Sequence, residues 1–138
     1  MIVADQVLND LTERYHNAVV AAYQAKDSRA PDRASQRFME LISDMDELLA
    51  TRKEFLLGRW LGDAKRWART DQQRRLYEVN ARDLITRWGG RITDYSQRQW
   101  SGMLTGFYQP RWAKFLDRLQ SSLTGGEPFS AAQLRKEF

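Results

Sequence analysis

The 138-residue sequence contains no cysteine and only one histidine. The lack of cysteine excludes disulfide bonds and thiol chemistry, and a lone histidine argues against a histidine-based metal site. The longest apolar runs are only a few residues, far shorter than the roughly 20 residues that span a bilayer. No phosphate-binding loop is present either. The sequence therefore predicts no metal site, no cofactor and no membrane segment.

The sequence is also poor in β-branched aliphatic residues, with nine Val and Ile together against 29 Ala and Leu. Strands favour β-branched residues and helices favour Ala and Leu. The length is typical of one domain of about 100–150 residues. With 42% hydrophobic and 29% charged residues, the composition is that of a globular protein. We expect a single all-α, antiparallel, bundle-like domain of six or seven helices.

Apolar residues recur at steps of three and four, which predicts successive helices. The first is predicted over residues 2–25, and a break at 28–32 follows because a proline there disfavours helical backbone before it. A second helix has its apolar face at residues 38–49. Thr51 is predicted to begin the third helix in a capping box with Glu54, in which each side chain bonds the other's backbone N–H.

Each of the remaining helices has a start signal in the sequence. These signals are Thr70 or Asp71 for the fourth helix, Asp94 for the fifth, Pro110 for the sixth and Ser130 for a short tail helix. The fourth helix is predicted to continue to Thr86. Gly89-Gly90 is predicted to stop it, because glycine adopts the left-handed conformation without a steric penalty.

Aromatic residues make up 12% of the chain. Most lie on helical stripes, and we interpret the following as core: Trp60, Trp67, Trp100, Phe107, Trp112 and Phe115. Trp88 and Tyr95 differ because they flank a glycine turn between two helices, and residues on such loops are often functional. Aromatic rings pack on the apolar C–H face of sugars, so this pair fits a carbohydrate site. Simple hydrophobic anchoring is the alternative interpretation.

The net charge of +4 is unevenly distributed, at −4 over residues 1–50 and +8 over residues 51–138. Residues 59–91 contain a run of arginines with acidic residues interleaved, for a net +5. Two interpretations stay open: ion pairs on helix surfaces, or a surface that binds an anionic partner. No nucleic-acid motif accompanies the run, and we favour ion pairing over a nucleic-acid partner.

Catalytic candidates are few. A Ser-His-Asp triad would require His16, which we expect to be a solvated surface histidine. Asp44, Asp46 and Glu47 could suggest a paired-carboxylate site. Residues two apart on a helix point in different directions, however, and we interpret this cluster as a solvated face. No catalytic residue is predicted in this chain.

Several blocks of rare residues resemble the α-N-acetylglucosaminidases, glycoside hydrolase family 89. The segment 55–61, FLLGRWL, is similar to the family's FLLGxWL, and 77–82, YEVNAR, is similar to YExN[AS]R. The blocks that continue the resemblance in order are 85–89 (ITRWG), 92–95 (ITDY), 99–102 (QWSG) and 107–112 (FYQPRW). In the family the loop between the WG and DY motifs is usually longer, whereas here only residues 90–93 separate Gly89 from Asp94.

The resemblance implies that residues 1–138 are the C-terminal helical domain of such an enzyme. Family members remove terminal α-linked N-acetylglucosamine from glycans with two glutamates of a (β/α)8 barrel, in the retaining geometry. That barrel is absent from this chain, which is expected to be inactive alone. The expected partners are the barrel and an N-acetylglucosamine-terminated glycan. The family suggests a secreted, periplasmic or lysosomal location.

Residue by residue, the resemblance implies that Trp88 encloses the sugar and that the Tyr95 hydroxyl hydrogen-bonds it. It implies that Arg82 and Arg111 brace loop and helix ends, and that Asp94 is a helix cap before it is a ligand group. The alternative function is a standalone helical module that binds an anionic partner through residues 59–91. Because Met1 leads directly into a helix without a leader, we expect a piece of a longer protein rather than a mature secreted one.

Overall fold

The computed structural model describes residues 2–26, 30–88, 98–125 and 128–137. These residues form six α-helices and no strand, which confirms the all-α expectation. The helices are α1 (Ile2–Gln24), α2 (Ala30–Ala50), α3 (Leu57–Arg66), α4 (Asp71–Thr86), α5 (Gln109–Leu123) and α6 (Ala131–Arg135). No helix in this part of the chain is long and apolar enough to cross a membrane.

The first core lies between α1, α2 and α5. Phe38, Ile42, Met45 and Leu49 recur along one side of α2 and are buried, as the sequence pattern predicts. Tyr15 of α1 and Leu116 of α5 pack against them. Helix α2 begins earlier than predicted, at Ala30, so its proline lies in the first helical turn, where the missing N–H removes no hydrogen bond.

The junction between α2 and α3 differs from the prediction. The Thr51 hydroxyl donates to the Leu48 carbonyl (2.7 Å), so it closes α2 rather than capping α3. A single 3₁₀ turn, Lys53–Phe55, follows, and α3 begins only at Leu57 without a side-chain cap. The predicted capping box is therefore wrong. The start of α3 is fixed by a distant segment instead, because the Leu57 N–H donates to the Ser101 carbonyl (3.1 Å).

Helices α3 and α4 form an antiparallel hairpin around a second core. The Thr70 hydroxyl accepts a hydrogen bond from the Gln73 N–H, and α4 continues to Thr86, as predicted. Leu57 and Leu61 of α3 pack on Ala81 and Ile85 of α4, and the chain returns to cover them with Met103.

The fifth helix predicted from Asp94 through Phe107 is not formed over its described residues. Residues 98–100 are irregular, and Gly102 has a φ of +84° that interrupts helical backbone. A π-helical turn, Leu104–Tyr108, follows and leads directly into α5. The remaining start signals are confirmed, with Pro110 in the first turn of α5 and the Ser130 hydroxyl accepting from the Gln133 N–H ahead of α6.

Asp46, on α2, holds the irregular segment in place. Its carboxylate accepts hydrogen bonds from the backbone N–H groups of Gly102 (2.8 Å) and Thr105 (3.2 Å) and from the Ser101 hydroxyl (3.1 Å). The same segment bridges to the start of α3, where the Ser101 N–H donates to the Phe55 carbonyl (2.8 Å). One carboxylate thus joins the two halves of the fold, and Asp46 does not belong to a solvated acidic face.

The aromatic residues interpreted as core divide into two groups. Trp100 and Phe107 pack on the second core, Trp112 packs on the first, and Phe115 contacts Trp112 edge-to-face. Trp60 and Trp67 are 38% and 82% exposed, so their assignment to the core is wrong. Trp60 lies at the margin of the contact between α3 and α4, and Trp67 lies beyond the last residue of α3.

Replacing Asp46 with alanine is expected to lower the free energy of unfolding by about 2–4 kcal/mol, because three donors lose a charged acceptor. Asp44→Ala, an exposed substitution on the same helix, is the matched control and should cost less than about 0.5 kcal/mol. Urea denaturation of both variants measures the difference. Equal stabilities of the two variants would contradict the role of Asp46.

Candidate functional site

The candidate site lies at the C-terminal end of α4. Trp88 follows the last turn, is 51% exposed, and donates its backbone N–H to the Asp83 carbonyl (2.7 Å). The Arg87 N–H donates to the same carbonyl (3.0 Å). An aromatic side chain is thereby fixed at the end of a rigid helix while much of its surface faces solvent.

The backbone of Trp88 is strained. Its φ of +60° lies in the left-handed region, which a bulky residue rarely adopts. The sequence predicts this conformation for Gly89-Gly90, which lie outside the described residues, whereas the structure already has it at Trp88. Strained backbone persists where the surroundings enforce it, and it is concentrated at functional sites. This geometry gives Trp88 a specific direction at the end of α4.

The sequence blocks that carry the family resemblance contact one another and support this region. The Trp60 indole N–H donates to the Ala81 carbonyl of α4 (2.9 Å), and the Trp60 and Trp100 rings are 5.9 Å apart. On the far side, the Tyr108 hydroxyl donates to the Arg98 carbonyl (3.1 Å). Both ends of the segment between Trp88 and Arg98 are therefore attached to the second core.

Arg82 is bound to a carboxylate on its own helix. Its Nε and Nη2 donate to Glu78 Oε1 (3.2 and 2.7 Å), and Lys65 of α3 donates to Glu78 Oε2 (3.0 Å). The Arg82 and Lys65 hydrogen bonds hold the pKa of the Glu78 carboxyl below its usual 4.5. Glu78 thus connects α3 to the middle of α4.

Of the three remaining predicted site residues, the structure describes one. The Arg111 guanidinium carbon lies 5.0 Å from the centroid of the Phe107 ring, in the first turn of α5. Asp94 and Tyr95 lie outside the described residues, so their predicted roles stay predictions. Asp46 is a structurally central residue that the sequence interpretation missed, because its partners are more than fifty positions away along the chain.

The acids of the arginine-rich hairpin all pair with its cations, as the ion-pair interpretation predicts, and they neutralise part of its positive charge. Glu78 pairs with Lys65 and Arg82, and Asp83 pairs with Arg87 at 2.9 Å. Asp63 and Asp71 pair with Arg66 and Arg74 within their own helices. The described part of this hairpin is therefore not a continuous positive surface.

A separate cavity of about 500 Å³ lies between α1, α2 and α5. His16 lines it and contacts the Trp112 ring edge-to-face, with 5.6 Å between centroids. The sequence predicts a solvated surface histidine, but His16 is half-buried, so that prediction is wrong. Within the described ranges, no group of three or more His, Asp or Glu could hold a metal ion.

The described residues form an all-α domain whose candidate site is an exposed aromatic side chain at the end of a helix. Trp88 is exposed at the end of α4. The Asp46 carboxylate already accepts hydrogen bonds from backbone N–H groups. The sequence model of the alpha-N-acetylglucosaminidase C-terminal domain matches residues 2–138. The chain belongs to that family.

Relatives agree in sequence and in structure. Human alpha-N-acetylglucosaminidase is 36% identical over 95% of this chain, which covers 18% of the human protein. A family 89 glycoside hydrolase from Clostridium perfringens, solved with 2-acetamido-1,2-dideoxynojirmycin, superimposes with a TM-score of 0.84 at 34% identity, covering 96% of this chain and 16% of that one. A variant of the Clostridium perfringens enzyme, solved with its substrate GlcNAc-alpha-1,4-galactose, gives 0.83 at 36% identity over 90% of this chain and 15% of that one. The chain thus spans less than a fifth of these relatives.

Glycine at position 88 tests the strained backbone. Trp88→Gly is expected to be about 1 kcal/mol more stable than Trp88→Ala, because only glycine adopts a positive φ without steric cost. At Asn80, inside α4, the order should reverse, with alanine about 1 kcal/mol better than glycine. Denaturation curves of the four variants give both differences. A more stable alanine at position 88 would contradict the left-handed conformation.

The pKa of Glu78 predicts a pH-dependent contribution to stability. Because the folded-state pKa is lowered, the wild-type chain should exceed Glu78→Gln in stability above pH 4.5, and the advantage should disappear as pH falls through the folded pKa. Thermal melts at pH 7 and pH 3 measure it. Glu47→Gln, on an exposed position of α2, is the control. An advantage that persists unchanged at pH 3 would contradict the ion-pair role.

Proposed function

We propose that this chain is the accessory domain of a retaining glycoside hydrolase that removes terminal α-linked N-acetylglucosamine. Family membership over residues 2–138 supports the class of enzyme. The observation that supports a direct role at the substrate is the exposed, strained Trp88 at the end of α4. In this proposal residues 1–138 form one wall of the active-site cleft.

The reacting groups belong to the rest of the parent enzyme. In a retaining glycosidase one carboxylate attacks the anomeric carbon and a second acts first as acid and then as base, about 5 Å away. Those carboxylates are expected on the (β/α)8 barrel against which this domain packs. The present chain supplies shape and contacts, and it is expected to hydrolyse nothing alone.

Trp88 has the chemistry for sugar binding. The indole face stacks on the C–H face of a pyranose, and closing this side of the cleft excludes water from the anomeric carbon. In the proposal the Tyr95 hydroxyl hydrogen-bonds the sugar. Arg82, through Glu78, keeps the last turns of α4 in register, and Arg111 and Asp94 stabilise neighbouring helix ends.

The substrate class follows from the relatives. A variant of the Clostridium perfringens enzyme was solved with its substrate, GlcNAc-alpha-1,4-galactose. We infer an N-acetylglucosamine-terminated glycan for the parent of this chain. Nucleic acid is not proposed as a partner, because the acids of the hairpin pair with its cations.

In the parent enzyme, Trp88→Ala is expected to lower kcat/KM on an aryl α-N-acetylglucosaminide by about 10- to 100-fold, the effect of losing a large aromatic contact. Trp88→Phe keeps a stacking ring and should retain most of the activity. The melting temperature of each variant is the control for folding. Kinetics of Trp88→Ala equal to those of the unsubstituted enzyme would overturn the role of Trp88.

A further inference from the structure

Helix α4 is apolar on two opposite sides. Its inner side packs on α3 through Ala81 and Ile85, which are 4% and 6% exposed. Leu76 and Val79 are 53% and 59% exposed. At about 3.6 residues per turn, Leu76 lies on the opposite side of the helix from Ile85. We call Leu76, Val79 and the intervening surface the outer face of α4.

Exposed apolar side chains are concentrated in this hairpin. Of the seven large hydrophobic side chains that are exposed among the described residues, six lie between positions 60 and 88. Scattered single hydrophobics are normal on a protein surface, whereas clusters mark contact sites. Three of the six are tryptophans, of which Trp67 and Trp88 lie just beyond α3 and α4 respectively. Tryptophan is enriched in protein–protein contacts.

The charges around the outer face point to an acidic partner surface. Each of the four acidic residues of the hairpin already pairs with one of its cations. Arg59, Arg69 and Arg75 have no carboxylate partner among the described residues. Arg75 lies one turn before Val79, so its guanidinium borders the outer face. A partner surface that covers Val79 and presents a carboxylate would bury this valine and pair with Arg75.

The relatives offer an occupant for the outer face, since more than four fifths of their length lies outside the region that this chain matches. A large companion within the same polypeptide is therefore available.

We propose that the outer face of α4 docks on the catalytic part of the parent enzyme, with Leu76 and Val79 as its apolar centre and Arg75 paired to a carboxylate of that part. The inference rests on the proposed function only for the identity of the partner. Docking along α4 also directs its C-terminal end, and with it Trp88, toward the cleft.

Val79→Glu tests the docking in the full-length parent enzyme, and Val7→Glu is the matched control. Val7 is an exposed valine on α1, 51% accessible. Both variants of this chain alone should melt within about 2 °C of the unsubstituted chain, because both sites are solvated. In the parent enzyme, Val79→Glu should raise the rate of limited proteolysis between the domains by about tenfold or more, since a carboxylate becomes buried in an apolar contact. Val7→Glu should not raise it.

Arg75→Glu provides a second, independent variant. It should also accelerate proteolytic release in the parent, and added salt should reduce the difference because an ion pair is screened. Unchanged proteolysis for both Val79→Glu and Arg75→Glu, or equal acceleration by Val7→Glu, would overturn the docking face. If the domains of the substituted enzymes separate as predicted but the unsubstituted parent does not cleave an α-N-acetylglucosaminide, the proposed function is wrong. The docking face is then still supported.

Discussion

The Asp46 carboxylate is the interaction on which the rest of the structure depends. It accepts three hydrogen bonds from residues 101–105, and that segment in turn bonds both flanks of Leu56 at the start of α3. Together with the packing of Leu104 and Trp112 on α2 and the hydrogen bonds of Gln109 to Met39 and Ser43, it fixes the chain after position 98 against α2. Charge-assisted bonds to backbone N–H groups are stronger than neutral ones, which suits a junction made by a single side chain.

This junction connects the fold to the proposed function through α4. The second core is closed by Met103, next to the segment that Asp46 holds, and it buries the inner side of α4 through Ala81 and Ile85. The Glu78 ion pairs and the Trp60 indole then fix the rotation of α4 against α3. Once that rotation is fixed, the directions of the outer face and of Trp88 are fixed as well. In the proposed role, the domain would present both surfaces in fixed directions.

The sequence predicts those features whose cause lies within a few residues. The Thr70 and Ser130 caps and the proline at the start of α5 are local, and all three are confirmed. The predicted fifth helix fails because Asp46, far away in the chain, takes the N–H groups of Gly102 and Thr105. A helical stripe cannot tell whether a neighbour covers it, which explains the wrong assignment of Trp60 and Trp67 to the core. The sequence indicates Trp88 as a site residue through its place beside a turn, whereas its strained backbone is visible only in three dimensions.

The central claim is that Trp88 forms part of the sugar-binding wall of a larger glycosidase. A crystal structure of the parent enzyme with a bound N-acetylglucosamine-type inhibitor measures this most directly. The account predicts that the Trp88 ring contacts the pyranose at about 4 Å between heavy atoms. It also predicts that the catalytic domain covers Leu76 and Val79. A Trp88 side chain turned into solvent, with the inhibitor bound elsewhere, would contradict the account.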